Sequence, residues 1–143
     1  MKKLILIFIT CAINYISASG QIMNDGRLMF GYTEVFGYTE SQLVDEIPFV
    51  DLKKDTLKDG RKIMTYEDKY GTWIYRFDRN GIIDVIREIT YPDKINVEIE
   101  RLNKNSIIIS ETEWREYVNG NIIFIHLTLS GKNYCIDYTA KPM

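Results

Sequence analysis

Hydrophobic and polar residues alternate through the middle of the chain, in a pattern typical of antiparallel strands. The alternation runs through residues 63–67 and 73–77, and residues 68–71 between them have the composition of a turn. A second turn at residues 78–81 leads into an apolar-rich stretch at 82–91. Alternation bounded by turn residues indicates half-buried strands. The pattern therefore predicts a three-stranded meander.

The third strand of this meander is predicted to have one apolar and one polar face. Ile83, Val85 and Ile89 occupy alternate positions along it. Asp84 and Glu88 lie at positions between them. Because successive side chains of a strand point to opposite faces, we expect both carboxylates to point to solvent.

Two stretches have helical character. Thr39 and Gln42 have the spacing of a capping box, and Pro48 ends the helix that they begin. The apolar face of this helix consists of Leu43, Val44 and Ile47. Residues 93–104 fit either a strand or a helix with Asp93 as its cap, and the cap favours the helix.

The rest of the chain predicts one loop and four further strands. Residues 49–61 are mixed in composition and are interpreted as a loop, in which 49–52 is an optional short strand. Asn119-Gly120 is a strong signal for a two-residue hairpin turn. The predicted C-terminal strands are 106–110, 114–118, 121–129 and 134–139.

Together these elements predict an α+β fold. Six or seven mostly antiparallel strands form a curved sheet of meander hairpins, with one or two helices packed on one face. That face needs apolar side chains to cover it. The residues expected to supply them are Trp73, Tyr75, Phe77, Ile123, Ile125, Leu127 and Leu129.

The N-terminus has the features of a secretory signal peptide. Lys2 and Lys3 precede an apolar run over residues 4–13, and small residues follow at 18–20. This run is shorter than the roughly 20 residues that span a bilayer. We therefore expect export to the periplasm or outside the cell, with no membrane span. The alternative is lipid anchoring through Cys11.

The sequence predicts three parts: the signal at 1–20, a loosely ordered entry segment at 21–36, and a single α+β domain at 37–143. Cleavage after Gly20 removes the signal. This cleavage removes two lysines and no acid, so the net charge changes from −2 to −4. Because the remaining basic residues are scattered among acids, nucleic acid is excluded as an expected partner. Cys135 is then the remaining cysteine, and no internal disulfide is expected.

Candidate catalytic residues are few. His126 is the chain's one histidine, and Cys135 is predicted to lie on the neighbouring strand, with position 126 opposite about 137. A structural role is favoured for both. The strand carboxylates Glu67, Asp84, Glu88 and Asp137 are the candidates for acid–base chemistry. We expect no enzyme, no cofactor and no metal site.

Aromatic residues are the better candidates for binding. Sixteen of the eighteen follow residue 20. Tyrosine and tryptophan are favoured where a large amphipathic contact is formed. The tentative binding residues are Trp114, Tyr117, Tyr134 and Tyr138. For the tryptophans, the alternation favours a position in the core.

Two stretches carry a resemblance to known exported domains. Residues 37–44, GYTESQLV, followed by 73–82, WIYRFDRNGI, resemble the helix-then-meander domains of SmpA/OmlA outer-membrane assembly lipoproteins and the β-lactamase-inhibitor-like fold. The resemblance covers residues 37–86 and departs at Glu46-Ile47-Pro48, where the family has Gly-x-Pro. Residues 102–104 and 109–114 are also similar to uncharacterised secreted proteins of Bacteroidota. The resemblance implies an exported helix-plus-meander fold and no catalytic residues.

These observations predict a non-enzymatic exported domain that binds another protein or a cell-envelope component. Two alternatives stay open. One is a small-ligand-binding domain with an apolar, aromatic-lined cleft. The other is a small hydrolase that uses the strand carboxylates or the Cys135 and His126 pair.

Overall fold

The computed structural model describes residues 21–22, 28–29, 33–48 and 50–143. The predicted signal peptide and Cys11 lie outside these residues. Strands β1 (Gln21–Ile22) and β2 (Leu28–Met29) form an antiparallel pair in a unit of their own. The second unit spans Tyr32–Met143. It contains α1 (Glu40–Glu46), β3 (Lys53–Thr56), β4 (Lys62–Glu67), β5 (Gly71–Phe77), β6 (Ile83–Thr90), α2 (Ile95–Asn105), β7 (Ile107–Ser110), β8 (Glu113–Val118), β9 (Asn121–Ser130) and β10 (Asn133–Pro142).

The second unit is an α+β fold with one eight-stranded antiparallel sheet, as the sequence predicted in outline. The strand order is β3-β4-β5-β6-β10-β9-β8-β7. Two four-stranded meanders, β3 to β6 and β7 to β10, are joined by α2 and meet where β6 pairs with β10. The sheet is not closed, so β3 and β7 are its two edges. Within the described ranges, neither helix is long and apolar enough to cross a membrane.

One face of the sheet, the inner face, carries the core. Met64, Tyr66, Trp73, Tyr75 and Phe77 point to it from β4 and β5 and are all buried. Tyr66 stacks on Trp73 and Tyr75, with ring centroids 6.4 and 6.2 Å apart. The remaining strands add Ile83, Ile86, Trp114, Ile123, Ile125, Ile136 and Tyr138. The predicted core residues are thus confirmed except at the end of β9, where Leu127 is half-buried and Leu129 is 68% exposed because β9 runs past the end of β8.

The capping box at α1 is present as predicted. The Thr39 hydroxyl accepts a hydrogen bond from the Gln42 amide, and the Gln42 side chain accepts one from the Thr39 amide. Leu43 and Ile47 are buried, whereas Val44 is 40% exposed and does not share their face. Positions four apart lie on one helix face, so the buried face is narrower than the sequence suggested.

Helix α2 forms where a helix was favoured, but its cap differs from the prediction. Lys94, not Asp93, is the N-cap residue, and no side chain caps the first turn. The buried face of the helix consists of Ile95, Glu98 and Leu102. Asp93 lies one residue too early to accept from the first free amides.

The predicted facing of β6 is wrong from Val85 onward. Phe77 pairs with Ile83 and Arg76 pairs with Val85, so Asp84 is an extra residue on β6. A bulge of this kind shifts the alternation by one position. As a result Glu88 points to the inner face and is 0% exposed, whereas Asp84 stays outside and binds Arg76.

One further prediction is corrected at the N-terminal side of the unit. Residues 50–52 of the optional strand are not in a strand, and β3 forms at Lys53–Thr56, within the predicted loop. All four β3 residues are exposed, and their sequence KKDT has no hydrophobic alternation that would predict a strand. In the entry segment predicted to be loosely ordered, Val35 and Phe36 are buried.

Candidate functional site

The outer face of the sheet, opposite the core, brings Cys135, Asp137 and His126 near one another. Asp137 lies directly opposite His126, as predicted, and Cys135 lies opposite Thr128. The Cys135 thiol is 3.8 Å from Asp137 Oδ1, whereas His126 Nδ1 is 3.4 Å from Glu113 Oε1. The thiol therefore faces a carboxylate, and the imidazole faces another.

The electrostatics of this cluster oppose nucleophilic chemistry at Cys135. Burial and the charge of Asp137 raise the pKa of the Cys135 thiol. Asp137 is itself held by Arg87, whose Nε and Nη2 are 2.7 and 2.9 Å from its two oxygens. Since the thiolate is the reactive form, a raised pKa lowers the fraction of Cys135 that is reactive at neutral pH.

Beneath α2, buried polar groups join the helix to the inner face. Glu98 is fully buried and accepts from Arg101 Nε at 3.1 Å, and Arg101 donates to the Tyr138 hydroxyl at 2.6 Å. Trp114 Nε1 donates to Asn103 at 2.8 Å. These contacts fix the helix on strands β8 and β10.

Sequence reasoning missed Glu88 as an inner-face residue. It lies opposite Trp73 of β5 and Ile136 of β10, among aromatic and aliphatic side chains. Its burial follows from the bulge at Asp84. No local composition signal marks that bulge, because Ile83 and Val85 continue the alternation that the sequence displays.

A charged cleft of about 460 Å³ lies at one end of the sheet, where α1 meets the β3–β4 and β5–β6 turns. Glu40 lines the cleft, and its carboxylate is 3.2 Å from Lys54 Nζ and 3.3 Å from Lys62 Nζ. The hydrogen bond from Lys54 is the main cause of the lowered pKa of the Glu40 carboxyl. Asp59 and Arg61 form another pair in the cleft. Its charges thus neutralise each other.

The edge strand β7 exposes three consecutive isoleucines. Ile107, Ile108 and Ile109 are 53%, 56% and 43% exposed. Ile107 pairs with Arg115 and Ile108 with Trp114, and the register shifts at Ile109. An exposed apolar edge strand is an uncommon feature in soluble proteins, because its free backbone groups can pair with another chain.

The four tentative binding residues do not form one surface. Trp114 and Tyr138 are buried in the core, and Tyr134 is half-buried opposite Leu129. Tyr117 is 55% exposed on β8, two positions from the partner of Ile107. Of the four, Tyr117 alone is exposed, and a binding role for it stays a prediction.

Among the described residues, no three His, Cys, Asp or Glu side chains are arranged to hold a metal ion.

The chain matches no protein-family model, no curated protein and no solved structure.

Proposed function

We propose that this protein is an exported, non-enzymatic domain that binds another protein through the β7 edge. The observation that carries the proposal is the run of exposed isoleucines at Ile107, Ile108 and Ile109. An extended segment of the partner adds to the sheet beside β7 and covers these side chains. This mode of recognition takes affinity from backbone pairing and specificity from alternate side chains.

The energetics set requirements on the partner. Covering one half-exposed isoleucine contributes about 1 kcal/mol, and each added ladder hydrogen bond contributes about 1 kcal/mol net. Association itself costs about 4 kcal/mol or more. Three isoleucines and a short ladder leave little surplus, so the partner segment must bring apolar side chains of its own. The resulting complex is transient, with an interface at the small end of the range.

The chemistry of the described side chains favours binding over hydrolysis. The Cys135 thiol has a raised pKa and faces Asp137. Of the acids considered for hydrolysis, Asp84 and Asp137 are occupied by Arg76 and Arg87. The apolar, aromatic-lined cleft of the small-ligand alternative would lie on the inner face, where Glu98 and Tyr138 already hold Arg101.

Export is the second part of the proposal and is supported by the signal-peptide features of residues 1–20. Intact mass of the protein recovered from its own cells tests it. A chain that starts at Gln21 supports release into the periplasm or beyond. A chain that starts at a lipid-modified Cys11 would replace release with membrane anchoring.

Photocrosslinking tests the edge. A photoreactive amino acid replaces Ile108 in one variant and Thr56, on the opposite edge β3, in a matched control. We expect crosslinked protein adducts from position 108 and few from position 56. Equal adducts from both edges, or none from position 108, would refute the proposed use of β7.

A further inference from the structure

The two ends of β7 carry opposite charges. Lys104 lies in the last turn of α2, just before the strand, and is exposed. Glu111 follows the strand directly, in the turn to β8, and is also exposed. The strand between them, Ile107–Ser110, has no charged residue. The edge therefore has a positive start, an apolar middle and a negative end.

We propose that the partner which docks on β7 is a second copy of this chain, paired antiparallel to the first. This inference rests on the proposed use of the β7 edge and names its occupant. In an antiparallel pair the start of each strand lies beside the end of the other. Lys104 of each copy then lies beside Glu111 of its partner copy, and the isoleucines of the two strands cover one another.

The charge pattern selects this arrangement among the ways two copies could meet. Antiparallel pairing forms the Lys104–Glu111 contact twice, as an isologous two-fold interface requires. Parallel pairing would place Lys104 beside Lys104 and Glu111 beside Glu111, and like charges in that position oppose association. The antiparallel dimer extends the sheet from eight strands in one copy to a continuous sheet across two.

The isoleucines of a second copy meet the requirement that the partner segment bring apolar side chains of its own. A second copy presents the same three exposed isoleucines, so the segment that covers β7 is itself apolar. The register shift at Ile109 limits the regular ladder to a few residues. We therefore expect reversible self-association that depends on protein concentration and weakens as salt screens the exposed charges.

Sedimentation velocity of the full chain, purified from exporting cells, is the test. Ile108→Lys should weaken self-association by about tenfold or more, since it places a charge in the apolar middle. The matched control is Thr56→Lys, which adds the same charge to an exposed residue of the other edge and should leave association unchanged. Thermal unfolding checks that both variants stay folded.

Charge exchange gives the sharper readout. Lys104→Glu and Glu111→Lys should each weaken self-association, because each creates two like-charge contacts. An equal mixture of these two variants should associate again, because both contacts become attractive. The double variant should pair with itself and not with the wild type, which a parallel arrangement would reverse.

The outcomes separate this inference from the proposed function. If the wild type is monomeric, or if Ile108→Lys leaves its self-association unchanged, the second copy is overturned as the occupant. If only the charge variants associate as the wild type does, the antiparallel charge pairing is overturned. If Ile108→Lys reduces the adducts that a photoreactive residue at position 107 forms with a different protein, while self-association is absent or unchanged, the β7 edge still binds and only its occupant is wrong. If Ile108→Lys changes neither adducts nor self-association, the proposed function fails as well.

Discussion

The two edges of the sheet, β3 and β7, are equally exposed but chemically opposite. Every residue of both strands is exposed. Strand β3 has the sequence KKDT and β7 has the sequence IIIS. Charged residues, lysine above all, keep an edge strand from pairing with other chains. Strand β3 is therefore protected against association with other chains. In β7, the register shift at Ile109 is the one feature that opposes such association.

The segments next to the two edges are held by different interactions. Helix α2, which leads into β7, is connected to the central strand β10 through Glu98, Arg101 and Tyr138. Near β3, exposed lysines pair with Glu40 at the start of α1. Buried charge pairs are costly to break, and surface pairs contribute little. The helix that leads into the apolar edge thus has the attachment that is more costly to break.

The largest expected effect comes from the attachment of α2 to the central strand β10. Replacing Arg101 with methionine removes a partner of the buried Glu98 carboxylate, and breaking such a pair destabilises a protein by about 3 kcal/mol. Urea unfolding measures the loss. The control Arg115→Met removes an arginine that lies on the outer face over the Phe124 ring, 5.3 Å from its centroid, and should cost less than about 1 kcal/mol. Equal losses would show that the buried network has no special weight.

Making the charged edge β3 apolar should have the next largest effect. Lys53→Ile with Asp55→Ile makes β3 resemble β7, and a protein with two adhesive edges should form species larger than a dimer. Such a gain corresponds to at least about tenfold stronger association, or 1.4 kcal/mol. Light scattering across a concentration series measures it. If the double variant behaves as the wild type does, apolar character alone does not make an edge adhesive.

A smaller effect is expected at Glu40, which anchors the charged edge. Its carboxyl pKa is lowered from the ordinary 4.5 in the folded protein, chiefly by the Lys54 hydrogen bond. A lowered folded-state pKa stabilises the protein above the unfolded-state pKa, and this stability is lost as the pH falls through the folded-state value. Glu40→Gln should therefore cost about 0.5 kcal/mol at pH 7 and nothing at pH 2. A cost that persists in acid would mean that packing, not charge, holds this edge.

The smallest expected effect is at the centre of the sheet, where substitutions in the edge strands should leave the reactivity of Cys135 nearly unchanged. Cys135 lies on β10, and burial raises the pKa of its thiol. Its alkylation at neutral pH should be slow in the wild type and should change by less than about twofold in Ile108→Lys or in the β3 double variant. Mass spectrometry of the labelled peptide measures the rate. Faster labelling in an edge variant would show that the edges and centre unfold together.

Local patterns predicted much of this fold. The Asn119-Gly120 turn has φ values of +50° and +77°, both positive, as the predicted two-residue hairpin requires. The Thr39–Gln42 capping box forms as its spacing indicated. Both features depend on residues within a few positions of one another, so the information that specifies them lies in one short stretch of sequence.

Other features escaped prediction because they depend on distant residues. The exposed strand β3 forms by pairing with β4, without any hydrophobic alternation of its own. The facing of β6 is set by its pairing with β5 across the bulge, which turns Glu88 into the core. Among the tentative binding residues, the sequence could not separate exposed Tyr117 from buried Tyr138.

The sequence by itself thus determined the antiparallel hairpins, the two helices and the apolar character of residues 107–109. Alternation, capping and turn chemistry are local, and they act before distant segments meet. Only the tertiary structure decided that β7 is an edge, because the central pairing joins β6 to β10, whose partners Thr90 and Tyr134 lie far apart in the chain. That pairing leaves three isoleucines, which would be buried in a central strand, exposed at the border of the sheet.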